Sequence, residues 1–94
     1  MATYLRSHDG AHSHDVSSAW AFEEQTREAA AWIRTNGAKL AEAEAWILDI
    51  GYDYDGREGA EPPLKKVSYG ETLTPEFMRL LVEHNVTLWL SYYP

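Results

Sequence analysis

Seven carboxylates fall between positions 42 and 61: Glu42, Glu44, Asp49, Asp53, Asp55, Glu58 and Glu61. Arg57 is the only base among them, so this stretch holds −6 of the chain's net −7. A concentration of one sign either solvates a polar face or steers a partner of the opposite sign. Asp49, Asp53, Asp55 and Glu58 are the residues expected to steer. The run Asp53-Tyr54-Asp55-Gly56 invites comparison with a calcium loop. With Gly56 at the sixth position of an EF-hand, Gly51 and Pro62 occupy two positions that need oxygen ligands, so the EF-hand is excluded. An irregular divalent site on Asp53, Asp55 and Glu58 is the remaining calcium reading. A second set of ligand types lies near the N-terminus, where His8, His12 and His14 alternate with Asp9 and Asp15. Imidazoles at that spacing suit Zn²⁺ or Ni²⁺, although closing a free arm around a metal costs conformational entropy.

Catalytic constellations are sparse. The chain has no cysteine, no nucleophile elbow, no P-loop and no dinucleotide fingerprint. Asp49 and Asp53 would stand about 13 Å apart on a strand, too far for a carboxylate dyad. The expectation is a protein that is not an enzyme and needs no cofactor.

The elements that would carry these residues can be read from periodicity. Residues 44–54 alternate, with Trp46, Leu48, Ile50, Tyr52 and Tyr54 on one face and Ile47, Asp49 and Asp53 on the other. Residues 86–93 alternate as well, which sets Trp89 and Tyr93 opposite Leu88 and Leu90. If the first set in each strand packs beneath helices, Asp49, Asp53, Trp89 and Tyr93 share the uncovered face. Aromatic rings beside carboxylates resemble an interface anchor set.

Two helices are expected. One runs from a Ser17 or Ser18 cap to Asn36-Gly37, with Phe22, Thr26, Ala29, Ala30 and Ile33 facing inward. The other starts at Thr74-Pro75-Glu76, where a capping hydroxyl, a proline at the first helical position and an acid at the positive end of the dipole coincide. Its inward face is Phe77, Leu80, Leu81 and His84, and Asn85 takes a left-handed exit. Weaker strands are read at 2–6 and 64–69, and residues 7–17 read as a loop or flexible arm. The fold class is therefore α+β: a two-layer sandwich with two helices on one face of a mainly antiparallel sheet. With both weak strands present the order is βαββαβ, the ferredoxin-like arrangement.

From about Ala43 onward, the chain resembles the C-terminal half of an uncharacterised bacterial domain family of unknown function. The likeness is carried by Leu73-Thr74-Pro75-Glu76-Phe77 and by Leu88-Trp89-Leu90-Ser91-Tyr92. It implies a strand, an acidic loop, a capped helix and a final strand, and it implies no mechanism.

With 94 residues the chain makes one expected domain, 1–94, and 45% hydrophobic residues suffice for a core. Acids outnumber bases 15 to 8, which argues against nucleic acid and against an anionic membrane surface as partners. No apolar run is long enough to span a bilayer, and the first ten residues lack the apolar core of a signal peptide. Absence of cysteine fits a reducing compartment, so a cytoplasmic location is expected. Together these features favour a small acidic binding module, of inhibitor or immunity type, that docks a protein with a basic surface. The alternatives are a metal- or ligand-binding domain that uses the histidine-rich arm or the acidic loop, and a self-associating domain that forms a homodimer.

Overall fold

Alternating side chains build the centre of the molecule, a computed structural model that describes residues 3–53 and 72–93. Strand β3, Trp46–Asp53, buries Trp46, Leu48 and Ile50 and leaves Ile47 and Asp49 half-buried. Each large apolar side chain removed from water contributes about 1.5–3 kcal/mol, so the register of this strand is strongly fixed. Strand β4, Val86–Tyr93, runs parallel to it, with Leu48 beside Leu88 and Asp49 beside Trp89. On the other side lies β1, Thr3–Ser7, antiparallel to β3, with Leu5 opposite Leu48 and Tyr4 opposite Asp49.

The expected loop at 7–17 is instead a hairpin. Strand β2, Ser13–Ser17, pairs antiparallel with β1. Its turn is built by Asp9-Gly10. Gly10 has φ +80°, which glycine adopts without a Cβ clash. Its N–H donates to the Ser7 carbonyl at 3.0 Å, and the Ser7 N–H donates to the His12 carbonyl at 2.8 Å. The Asp9 carboxylate accepts from the Ser7 hydroxyl at 2.6 Å and from the Ala11 N–H at 3.0 Å. Ser7 in turn accepts the His12 N–H at 2.9 Å. Apolar periodicity cannot reveal such a turn, because polar side chains hold it together. The pairing slips between Thr3 and Tyr4, a bulge that lets both Val16 and Ser17 be buried.

Helix α1, Phe22–Thr35, starts later than the serines suggest. Ala21 occupies the cap position with no side-chain bond, while Ser17 lies in β2 and gives its hydroxyl proton to Glu28 at 2.7 Å. Its buried stripe is Phe22, Gln25, Ala29, Ala30 and Ile33, with Gln25 inward where Thr26 was expected. Gln25 is fully buried and donates to the Gly51 carbonyl at 3.0 Å, a polar tie between helix and sheet. The chain does not leave α1 through a left-handed glycine. Asn36 has φ −124°, and Gly37 opens a further short helix, α2, Gly37–Leu40. The Trp46 indole N–H donates to the Leu40 carbonyl at 2.9 Å, which pins α2 over the start of β3.

Helix α3, Pro75–Glu83, matches its start signals. The Phe77 N–H donates to the Thr74 hydroxyl at 3.1 Å, and Pro75 fills the first helical position. Phe77, Leu80 and Leu81 are buried. His84 caps the C-terminus, and its Nδ1 lies 2.9 Å from the Leu80 carbonyl, so that nitrogen carries a proton. Asn85 exits left-handed with φ 55° and donates to the Glu44 carbonyl at 2.8 Å.

The sheet order is β2-β1-β3-β4, with the first two pairings antiparallel and the last parallel. The fold class is α+β, with a four-stranded mixed sheet and three helices among the described residues. Among the described residues the elements run ββααβαβ, and a hairpin stands where the ferredoxin-like βαββαβ order has a helix after the first strand. The strand expected at 64–69 lies outside the described residues. Buried residues of α1 and α3 join Leu5, Trp46, Leu48, Ile50 and Val86 in one core cluster. No helix among the described residues is long and apolar enough to cross a membrane.

Candidate functional site

The reverse face of the sheet collects the residues that the core leaves out. Across three strands, Tyr4, Asp49 and Trp89 stand in one row, and Asp15 of β2 extends it beside Tyr4. With neighbouring strands about 4.8 Å apart, Tyr4 and Trp89 bracket Asp49 across about 10 Å. Tyr4 is 42% exposed and Trp89 54%, against 1% for Trp46 on the core face. The alternation read from the sequence therefore holds at Trp46, Leu48 and Ile50 on one side and at Asp49 and Trp89 on the other.

Asp49 is not a free charge. Arg6 approaches its Oδ2 at 3.6 Å, and the Ser91 hydroxyl donates to its Oδ1 at 2.8 Å. These contacts hold its carboxylate in place and reduce its pull on a distant partner. The exposed Asp15 lies at the end of the same row. Asp53 and Tyr93 are partners in the β3–β4 register, which places their backbones side by side. Asp55 and Glu58 lie outside the described residues.

The histidines separate. His12 Nδ1 lies 3.8 Å and His14 Nε2 3.3 Å from the same oxygen of Glu42. His14 stacks obliquely on Trp32 and Trp46, with ring centroids 5.1 Å and 5.7 Å away. The cluster fastens the hairpin to α1, to the end of α2 and to β3. His8 instead borders a hollow of about 420 Å³ with Asp9, Glu42 and Glu44. The expected set His8, His12 and His14 is thus not assembled, and no group of three or more histidine or acidic residues among the described ones is placed to hold a metal ion.

One titratable group in the hairpin is clearly perturbed. The Ser7 hydroxyl, and after it the Ala11 N–H, hold Asp9 below the usual carboxylate range.

No family model, curated protein or solved structure matches the chain.

Sequence reasoning missed Tyr4, Arg6, Asp15 and Glu42 as members of these two clusters. Tyr4 and Arg6 had a signal, since they alternate with Thr3, Leu5 and Ser7. Asp15 and Glu42 had none, because their neighbours are set by the hairpin and the short second helix.

Proposed function

We propose that the chain is a non-enzymatic protein-binding module, a two-layer fold that docks a basic protein partner on the reverse face of its sheet. One observation carries this reading: two aromatic side chains, Tyr4 and Trp89, stand substantially exposed in a single row across paired strands. Exposed aromatic anchors of this kind dominate binding energy where a partner covers them, because large rigid rings bury much area at little entropic cost. The acidic excess of the chain supplies the complementary field. Net −7 draws a basic partner from a distance and raises the encounter rate, most strongly at low salt.

In this division of labour the rings hold and the charges attract. Arg6 and Ser91 keep Asp49 between the rings as a fixed acceptor, able to receive a hydrogen bond from a guanidinium or ammonium group. Asp15 adds exposed negative charge at the β2 end of the row. An inhibitor or immunity role is the form of this function that suits a small acidic chain.

The test is affinity capture of partners from the source cells, followed by titration of the purified partner. Tyr4→Ala with Trp89→Ala is expected to weaken binding by at least about tenfold, the range of interface anchors. Equal affinity for the double variant and the wild type would overturn the reading.

A further inference from the structure

We propose that β4 pairs antiparallel with β4 of a second copy, extending the sheet across a two-fold axis. The two edges of the sheet differ in kind. The β2 edge is five residues long, carries His14 and Asp15, and joins β1 through a bulge. Short length, charge and a bulge are the devices that keep an edge from pairing with another strand. The β4 edge has none of them. It is eight residues long, VTLWLSYY, with no charge and no proline, and its pairing with β3 is regular throughout. Among the described residues it is the outermost strand, and Thr87, Trp89 and Leu90 are exposed on it.

Charge selects the occupant. A basic peptide laid along β4 would meet no carboxylate on that strand, whereas a second copy would meet an equally neutral strand. In a chain of net −7, β4 is a strip where two copies touch without opposing like charges. Antiparallel pairing about a two-fold axis is also self-complementary, since each strand offers the other the same row of N–H and C=O groups. The result is one eight-stranded sheet, twice the four strands of a single copy.

This seam uses the backbone edge of β4, so it is independent of the reverse-face reading. Salt separates the two. Screening relieves repulsion between two acidic copies and strengthens the dimer, but it weakens attraction to a basic partner.

Sedimentation of the full chain over a concentration series tests the proposal. The expected result is a reversible monomer–dimer equilibrium that shifts toward dimer as salt rises. Leu90→Glu, at the exposed Leu90 in the middle of the strand, brings the two carboxylates near the two-fold axis and is expected to weaken dimerisation by at least about tenfold, as like charges across strands do. Val82→Glu, at the exposed Val82 of α3, changes net charge equally and is expected to leave the equilibrium unchanged. Hydrogen exchange of wild-type protein supplies a readout that needs no variant: the alternate β4 amides that point away from β3 should gain protection with concentration. A monomer at every concentration would overturn the proposal. So would a dimer whose β4 amides are insensitive to concentration.

Discussion

Ser7 shows how much of a small element can rest on one side chain. It is fully buried, donates to Asp9 and accepts from the His12 N–H. Ser7→Ala removes both bonds and strands a main-chain donor, so a loss of about 1–3 kcal/mol in unfolding free energy is expected by denaturant titration. Asp9 makes the turn sensitive to acid. Because its folded-state pKa is depressed, its contribution is present above the usual carboxylate range and fades as pH falls through the lower folded value. The Ala11 amide resonance, which reports the Asp9 bond directly, should therefore titrate with a midpoint below that range. A midpoint within or above the range would contradict the assignment. On the reverse face, Asp49 teaches a different lesson: a carboxylate expected to steer a partner is held by Arg6 and Ser91.

At the scale of elements, the end of α3 joins two constraints at one residue. Asn85 takes a positive φ and also donates to the Glu44 carbonyl. Asn85→Gly keeps the turn and loses only the bond, whereas Asn85→Ala loses both, with about 1–2 kcal/mol more strain from the left-handed conformation. Thermal unfolding should rank wild type above Gly and Gly above Ala; an alanine variant as stable as glycine would refute this account. Asn85, Thr74 and Pro75 were all legible in the sequence, because capping is a local matter of one side chain and the nearest backbone. The faces of β3 and of the first half of β4 were legible for a similar reason, since a period of two needs no knowledge of the rest of the chain, but Leu90, on the same parity as Val86 and Leu88, is exposed near the open end of the strand. The start of α1 was not. Ser17 and Ser18 look like caps, yet Ser17 is drawn into β2 by pairing with Thr3, a contact between distant residues. The hairpin at 7–17 was half-legible: Asp9-Gly10 is a turn signal, but the strand after it, SHDVS, is too polar to announce itself. Its His14 is held by Trp32, Trp46 and Glu42, which the fold alone brings together.

For the molecule as a whole, the sheet divides the chain's resources between its faces. Helices α1 and α3 use one face to build a core around Trp46, Leu48 and Ile50. The other face leaves Tyr4 and Trp89 exposed, and the chain as a whole carries a net charge of −7. On this account, affinity for a basic partner resides in the rings and the rate of encounter resides in the charge. Titrating a captured partner with wild type and with the Tyr4→Ala, Trp89→Ala double variant at low and high salt separates the two. The prediction is a loss of affinity of about tenfold or more for the variant at both salts, with association of both proteins slowed at high salt. Unaltered affinity when the two rings are removed would contradict it.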